Sequence, residues 1–377
     1  MTATPPEALP PLTVTDVAAR AQEVLDTVGA VVVGMREPLA LAFASILAGG
    51  HVLFEDVPGL GKTLAARSLA AACGLDFRRL QCTPDLLPAD ITGSFVYAPA
   101  TAEFVFRPGP VFTGMFLADE INRTSPKTQS ALLEAMAEGQ VTVEGEGFPL
   151  PRPFHVVATS NPIEYEGTYA LPEAQLDRFM VRLSVGYPSR ESEQRVLLNR
   201  VGRRHEVAEV PAVIDGSDLL RMQANVEGVH VDEDIALYCV DLASATRAHR
   251  DVQVGASPRG AQALMLVGRA RAVMDGRDFV TPEDVKTAAV AVLAHRVSLT
   301  PQAWANGVDP AQIVRGIVAQ VAGPPVVGAG GGRGGSPAGG GPGASGAGGG
   351  RGGSPASAGR GLSGVPGVPG VPGLEAR

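Results

Sequence analysis

The segment FEDVPGLGKT, residues 54–63, combines the residue types that a phosphate-binding loop needs. Gly59 and Gly61 allow main-chain N–H groups to approach phosphate oxygens, and Lys62 can reach the β- and γ-phosphates. Thr63 supplies a hydroxyl that can ligate Mg²⁺. An apolar run precedes the loop and a helical pattern follows it. We therefore expect a nucleotide to bind along Pro58, Gly59, Leu60, Gly61, Lys62 and Thr63.

The loop departs from the pattern G-x-x-x-x-G-K-[ST] at its first glycine, where Asp56 stands. A carboxylate ~4 Å from a phosphate charge would cost about 4 kcal/mol at an effective dielectric constant of roughly 20, against roughly 0.4 kcal/mol at ~10 Å through water. Asp56 lies at the strand end, far in sequence from Lys62, so an outward orientation costs little. Pro58 fixes one φ angle, which lowers the need for a flexible first glycine. We expect Asp56 to tune or cap the loop rather than to abolish binding.

Two further segments place polar side chains at the ends of apolar strands. In GMFLADEINR, Asp119 and Glu120 follow four mostly apolar residues, where a Mg²⁺-ordering acid and a water-activating base would lie. In HVVATSNP, Asn161 could orient the attacking water, although an Asn-Pro pair also favours a turn. Together with the loop, these segments predict a Mg²⁺-dependent nucleotide hydrolase.

Two arginines could complete such a site. Arg178 lies just before the last apolar run, where it could also be a surface residue at a helix end. Arg259 lies in the first turn of a predicted helix, where the helix dipole disfavours a cation by about 0.3–1 kcal/mol. The helix that begins at TPED follows the rule with acids, and the one that begins at SPRG does not. We expect an anion such as a triphosphate to meet Arg259.

The elements that must position these residues alternate between short apolar runs and helical patterns as far as residue 188. Continuous rather than alternating hydrophobicity is typical of parallel strands covered on both faces. The runs are HVLF (51–54), MFLA (115–118), FHVVAT (154–159) and VRLSVGY (181–187). The fold class expected is α/β, a parallel sheet with helices on its faces.

Helical patterns dominate the rest of the folded chain. Thr281 and Ser257 are each followed by proline and are predicted to cap the helices that they begin. The predicted organisation is a flexible N-terminus (1–12), an α/β nucleotide-binding domain with hairpin insertions (13–188), a smaller all-α domain (189–322) and a disordered Gly/Pro/Ala-rich tail (323–377).

Net charge and composition indicate which partners and which cellular compartment to expect. The net charge is −8, and the tail alone carries four arginines against one glutamate, or +3, which leaves about −11 for the rest. Nucleic acid is therefore not the expected partner, because phosphate backbones are bound through an excess of Lys and Arg. The three cysteines, without metal-ligand spacing, are expected as buried thiols of a reducing compartment. Neither a signal peptide nor a membrane-spanning segment is recognisable, so the expected localisation is cytoplasmic.

Two segments inserted between the apolar runs alternate like β-hairpins. GSFVYAPATAEFVFRPGP turns at APATA, and QVTVEGEGFPL turns at an acidic tip, Glu144–Glu146. Each could contact a substrate protein or simply stabilise the domain.

Longer stretches of the chain resemble the MoxR family of AAA+ ATPases. The stretches that carry the resemblance are PDLLPADITGS, FVFRPGPVF, LADEINRTSPKTQSALLEAMAEGQVTV, ATSNPIEYEGTYALPEAQLDRF and VGYPSR. The resemblance implies strand order 5-1-4-3-2, a helical lid and a homo-hexameric ring with ATP at subunit interfaces. It also implies that VVGMREP, residues 32–38, touches adenine, and that hairpin insertions face the ring axis.

The resemblance also assigns a role to each site residue. Lys62 and Thr63 correspond to the Walker A motif, and Asp119 and Glu120 to Walker B. Asn161 corresponds to sensor 1 and Arg259 to sensor 2, which acts on ATP in its own subunit. Arg178 fits the arginine finger that reaches the neighbour's ATP.

The function implied is maturation or remodelling of a client protein, driven by ATP and Mg²⁺. Family members commonly work with a von Willebrand factor A domain, and no D-x-S-x-S motif of that domain occurs here, so such a partner would be a separate chain. Three alternatives stay open: an ATP-gated assembly scaffold with little turnover, a chelatase-like motor and a nucleic-acid motor.

Overall fold

The structure is a computed structural model that describes residues 12–162, 168–203 and 209–325. The predicted flexible N-terminus, except for its last residue, and nearly all of the predicted Gly/Pro/Ala-rich tail lie outside the described residues. Within them, the strands are β1 (Val52–Glu55), β2 (Phe77–Gln81), β3 (Gly93–Ala98), β4 (Glu103–Pro108), β5 (Met115–Asp119), β6 (Gln140–Val143), β7 (Glu146–Pro149), β8 (His155–Ser160), β9 (Val181–Leu183), β10 (Val252–Val254) and β11 (Ser298–Leu299).

The α-helices of the described residues are α1 (Val14–Val31), α2 (Arg36–Leu47), α3 (Lys62–Ala72), α4 (Pro88–Thr92), α5 (Pro126–Glu138), α6 (Glu173–Leu176), α7 (Arg190–Arg203), α8 (Gly216–Glu227), α9 (Glu233–Ala248), α10 (Pro258–Met274), α11 (Pro282–Leu293), α12 (Pro301–Ala305) and α13 (Pro310–Gln320). Short 3₁₀ helices span Ile121–Arg123 and Ala294–Arg296.

Five parallel strands form the central sheet in the order β2-β5-β8-β1-β9. Counted along the chain among these five strands, this is the predicted order 5-1-4-3-2, which is confirmed. β5 and β8 are buried along their whole length, as their continuous hydrophobicity predicted. Because all five strands run the same way, the carboxyl ends of β1, β5 and β8 meet at one edge of the sheet.

Two sheet strands differ from the apolar runs. β2 has the sequence FRRLQ, and its polar residues are exposed because it lies at the edge of the sheet. No apolar run marks it, so the sequence did not indicate this strand. β9 ends at Leu183, and the residues that follow it, through Tyr187, form a loop beside the phosphate-binding loop.

Both predicted hairpins are confirmed. β3 pairs with β4 and β6 pairs with β7, each antiparallel. The two hairpins pack on each other through the stacked rings of Phe106 and Phe148, whose centroids are 3.9 Å apart. Farther along the first hairpin, Tyr97 and Phe104 form a ring pair that stays largely exposed. The two hairpins therefore pack together through aromatic side chains, and the tip of the first hairpin exposes apolar rings to solvent.

Helices α7 to α13 make up most of the described chain after residue 188, and the β-structure among them is the short β10–β11 ladder and an isolated bridge between His230 and Phe279. Thr281 caps α11 as predicted, because its hydroxyl accepts a hydrogen bond from the Asp284 N–H and Asp284 reciprocates. Ser257 lies at the predicted cap position of α10, but its hydroxyl donates instead to Asp177. α10 packs against α1 and α2 on one side and α11 on another.

The three cysteines, Cys73, Cys82 and Cys239, are free and buried, as expected. Burial raises the pKa of each thiol to about 12, which keeps it protonated and unreactive. Among residues 12–162, 168–203 and 209–325, no helix is both long enough and apolar enough to cross a membrane.

Candidate nucleotide-hydrolysis site

The phosphate-binding loop connects the carboxyl end of β1 to the first turn of α3. Gly59 and Gly61 have φ angles of 82° and 86°, in the left-handed region that side chains other than glycine rarely adopt. This conformation lets α3 begin directly at Lys62, with its unpaired N–H groups next to the loop. A helix N-terminus that follows a glycine turn is suited to bind phosphate.

Lys62 is buried, and its ammonium group donates hydrogen bonds to the main-chain carbonyls of Asp56 and Val57. Burial lowers the pKa of Lys62, and the surrounding carboxylates, Asp56 first among them, oppose that shift. The ammonium group is therefore held inside the loop by two neutral carbonyl acceptors. A charged phosphate oxygen is a stronger acceptor and can replace them.

Asp56 is turned toward the loop that follows β9. Its carboxylate accepts hydrogen bonds from the Val185 and Gly186 N–H groups, both at 2.7 Å, and from the Ser184 hydroxyl at 2.9 Å. It also accepts one from the N–H of Val57 at 2.8 Å. Burial would raise the pKa of Asp56, but these hydrogen bonds outweigh burial and keep the pKa below its usual value. Asp56 thus caps the start of the loop, as its position in the sequence suggested.

Asp119 is the last residue of β5, and three side chains bind its carboxylate. Thr159 donates its hydroxyl at 2.6 Å, Arg79 its Nε–H at 2.8 Å and Thr63 its hydroxyl at 3.1 Å. Sheet register brings β2, β5 and β8 together here, so residues from three strands and α3 meet at one carboxylate.

A divalent cation fits this place. The Thr63 hydroxyl and the Asp119 carboxylate provide two oxygen donors within hydrogen-bonding distance of each other. Mg²⁺ prefers oxygen ligands and is usually held by one or two protein oxygens together with substrate phosphates and water. The donor set therefore matches Mg²⁺ bound to a nucleotide.

Glu120 adopts an unusual backbone conformation for a residue with a side chain, with φ 60° and ψ 51°. Such a conformation costs about 1–3 kcal/mol and is often found at functional sites. The Glu120 N–H donates to the Thr159 hydroxyl at 2.8 Å. The carboxylate accepts hydrogen bonds from Gln81 at 2.8 Å and Arg123 at 3.1 Å. A strained and well-anchored turn thus fixes the direction of this side chain.

Asn161 follows β8, which lies between β1 and β5 in the sheet. Asn161 is buried, and its main-chain carbonyl accepts a hydrogen bond from the Asn122 side-chain amide at 3.2 Å. The sheet thus gathers Lys62, Thr63, Asp119, Glu120 and Asn161 at one edge; we call these five residues the catalytic edge.

The two predicted arginines lie apart from that edge. Arg178 follows α6 and donates a hydrogen bond to the Leu133 carbonyl of α5. The Arg259 side chain is 72% exposed, and its guanidinium lies 4.0 Å from the Asp177 carboxylate. Within the described ranges, neither arginine forms a hydrogen bond or ion pair with the phosphate-binding loop. The anion beside Arg259 is therefore a carboxylate of this chain, although the exposed side chain has room to move.

Sequence reasoning missed a buried arginine, Arg296, that ties the helices to the sheet. Its Nε–H donates to the Asp177 carboxylate at 2.6 Å, and its other nitrogens donate to the carbonyls of Asp177, Phe179, Met180 and Val292. Burial lowers the pKa of Arg296, and Asp177 opposes that shift. We call Asp177, Ser257, Arg259 and Arg296 the Asp177 joint.

Reasoning from the sequence also missed Arg79, Gln81 and Thr159. Arg79 and Gln81 lie on β2, the strand without an apolar run. Thr159 lies two residues before Asn161, and its position at the end of a buried strand was a usable signal.

A cavity of 410 Å³ lies beside the phosphate-binding loop. It is lined by residues 31–35, by the loop residues 58–61 and by residues of α7, among others. The first residues of the segment expected to touch adenine and the phosphate-binding loop therefore line the same cavity.

Comparison with known proteins places the chain in a family. The model of the ATPase family associated with various cellular activities (AAA) matches residues 51–181, and that of the AAA lid domain matches residues 244–317. The protein YeaC of Bacillus subtilis is 49% identical over 297 residues, which cover 79% of this chain and 92% of YeaC. The chaperone MoxR1 of Mycobacterium tuberculosis is 41% identical over 305 residues, 78% of this chain and 80% of MoxR1.

A solved structure and more distant relatives agree with this placement. The crystal structure of a protein of Cytophaga hutchinsonii, assigned as an ATPase, superposes with a TM-score of 0.76 at 40% identity and covers 82% of this chain and 96% of that one. Plant magnesium-chelatase subunits match only 50% of the chain, at 29–30% identity. The sheet order, the catalytic edge and these comparisons together show that the chain belongs to the MoxR family of AAA+ ATPases.

Proposed function

We propose that the chain hydrolyses ATP at the catalytic edge with Mg²⁺ and uses the cycle to remodel or mature a partner protein. The observation that carries the proposal is the meeting of Lys62, Thr63, Asp119, Glu120 and Asn161 at one edge of the sheet. Five residue types needed for nucleotide hydrolysis thus meet in one place, although they come from separate segments.

Binding of the triphosphate falls to the loop. The N–H groups at the start of α3 donate to phosphate oxygens, and Lys62 exchanges its carbonyl acceptors for the β- and γ-phosphates. Thr63 and Asp119 would hold the divalent cation. When bound, it would supply charge neutralisation at the phosphates.

The hydrolytic step needs a base and an oriented water. Glu120 accepts the proton of the attacking water, and Asn161 orients that water beside the γ-phosphate. Gln81 and Arg123 hold the Glu120 carboxylate, so these contacts must loosen before Glu120 can take a proton. Arg259 reaches the γ-phosphate of its own subunit, and Arg178 reaches that of the neighbour in a homo-hexameric ring.

The exposed ring pair of Tyr97 and Phe104 supports contact with a client protein, because aromatic side chains on a hairpin tip offer apolar area with little loss of conformational entropy. We place the client, and a separate partner with a von Willebrand factor A domain, on the assembled ring. The proposed setting is the cytoplasm, without nucleic acid as a partner.

A turnover assay tests the proposal. Purified full-length protein should release phosphate from ATP in the presence of Mg²⁺, and Lys62→Ala should lose both nucleotide binding and turnover. Nucleotide binding by the parent protein without turnover would favour the ATP-gated scaffold instead. DNA-stimulated turnover would favour the nucleic-acid motor.

A capture experiment addresses the partner. Glu120→Gln with ATP should retain the client on the ring, and the double variant with Lys62→Ala is the matched control, because it cannot bind ATP. A partner held equally by both variants would contradict ATP-dependent remodelling.

A further inference from the structure

Arg79 is a cation placed directly on the carboxylate that is proposed to hold the metal. Its Nε–H donates to Asp119 at 2.8 Å, and its Nη2 lies 2.8 Å from the same carboxylate oxygen, Oδ2. Thr63, the second proposed metal ligand, donates its hydroxyl to that oxygen as well. The guanidinium and a divalent cation therefore draw on the same oxygen atom.

The guanidinium is also fixed from its other side. Arg79 Nη2 donates to the Gln81 side-chain carbonyl at 2.6 Å, and the Gln81 amide donates to Glu120 at 2.8 Å. One arginine thus links both carboxylates of the ADE segment through β2. A planar fork with several donors can make these contacts together, whereas a lysine ammonium acts as a single point charge.

The Arg79 guanidinium and a divalent cation at Asp119 repel each other. Both carry positive charge, and a guanidinium in contact with Asp119 lies close to any metal bound to the same oxygen. The Arg79 side chain is 48% exposed, so it can swing into solvent when the metal arrives. The metal therefore has to displace Arg79 from Asp119.

We propose that Arg79 is a positioning residue that competes with the divalent cation for Asp119 and, through Gln81, keeps Glu120 anchored until that cation binds. The inference rests on the proposed function, because it assigns Asp119 to the metal. Arrival of the metal releases the guanidinium, and Gln81 then loses the donor that orients its amide toward Glu120.

The test measures metal affinity rather than turnover. The probe is Mn²⁺, followed by electron paramagnetic resonance on full-length protein loaded with ADP. Binding of fluorescent ADP in EDTA comes first and should be the same in all variants within about threefold. Arg79→Ala and Arg79→Gln should then bind Mn²⁺ about tenfold more tightly than the parent. Arg79→Lys, which keeps the charge, should stay within about threefold of the parent.

Arg78→Ala is the matched control, because Arg78 lies next to Arg79 on β2 and faces the opposite side of the strand. It should leave Mn²⁺ affinity unchanged. If Arg79→Ala fails to fold, as judged by thermal melting, Arg79→Gln and Arg79→Lys still test the proposal.

The outcomes separate this inference from the proposed function. Unchanged Mn²⁺ affinity in Arg79→Gln, or equally tight binding in Arg79→Lys and Arg79→Gln, would overturn the competition by charge while leaving nucleotide binding intact. Failure of the parent protein to bind ADP at all would overturn the proposed function and this inference with it.

Discussion

The catalytic edge and the Asp177 joint both contain carboxylates paired with cationic side chains, but the partners of these carboxylates differ in how freely they can move. At the edge, Asp119 and Glu120 accept side-chain hydrogen bonds of 2.6 to 3.1 Å from several partners, positioned by sheet register. At the joint, one carboxylate serves two arginines of unequal freedom. Arg296 is 4% exposed and lies 2.6 Å from Asp177, whereas Arg259 is 72% exposed and lies 4.0 Å away.

The difference separates fixed parts from movable ones. At the edge, sheet register fixes the positions of Asp119 and Glu120 before any nucleotide arrives. The side chains that contact these carboxylates, Arg79 among them, change partners when the metal and the nucleotide bind. The joint has one permanent partner and one that can leave for a phosphate. We infer that Arg296 maintains the contact between the lid and the sheet, while Arg259 reports the presence of ATP.

The largest expected effect concerns Arg178, one residue from the joint. Arg178→Ala should reduce ATP turnover by about 10³–10⁵-fold, the typical contribution of an arginine finger, with nucleotide affinity little changed. Phosphate release should recover when Arg178→Ala is mixed with Lys62→Ala, because each subunit then lacks a different half of the shared site. Mixed rings without recovery would remove Arg178 from this role.

Arg296→Ala should lower the free energy of unfolding by about 3–5 kcal/mol, because it leaves the Asp177 carboxylate and four carbonyls without their buried donor. Urea unfolding measures this. Arg259→Ala is the matched control, since it removes an exposed arginine from the same carboxylate and should cost less than about 1 kcal/mol. Equal losses in the two variants would contradict the distinction between fixed and movable partners.

Arg259→Ala should in turn weaken ATP binding by about 10–100-fold, the value of a hydrogen-bonded charge pair of roughly 1.5–3 kcal/mol. ADP binding should change little, because the γ-phosphate is absent. Titration of both nucleotides with the same protein sample checks this, and an equal loss for ATP and ADP would place Arg259 away from the γ-phosphate.

Asp56→Asn should lower the free energy of unfolding by about 1–2 kcal/mol near neutral pH, because an amide accepts the N–H groups less strongly than a carboxylate. The folded pKa of Asp56 lies below its usual value of 3.8, so its contribution is present above that pH and disappears as the pH falls through the folded pKa. The difference between parent and variant should be constant from about pH 5 to 7 and shrink below about pH 4. A difference that grows in acid would contradict the capping role.

The strands that carry the catalytic edge were predictable, and most of their partners were not. Buried parallel strands such as β5 and β8 leave an unbroken apolar signature, and the polar residues that end them stand out. β2 and the joint leave no such signature. Arg79 is one of three polar residues on an edge strand, and Arg296 lies just after the end of α11, so only tertiary contacts identify them.

For Asp56, the orientation of the side chain could be predicted from the sequence, but its hydrogen-bond partners could not. The sequence indicated that a carboxylate at the strand end could turn outward at low cost. The N–H groups of Val185 and Gly186 that receive it come from a loop after β9, more than a hundred residues away. The sequence predicted the direction, but the partners depend on the order of strands in the sheet.

We propose that Glu120 activates water at a site that binds nucleotide independently of this residue. Glu120→Gln should bind ATP within about threefold of the parent and hydrolyse it about 10²–10⁴-fold more slowly. Glu138→Gln, on the exposed end of α5, is the matched control and should behave as the parent. The direct measurement is ATP affinity and single-turnover phosphate release on the same samples. Retained ATP binding with lost turnover is expected of Glu120→Gln, and parent-like hydrolysis would contradict the role of Glu120 as the base.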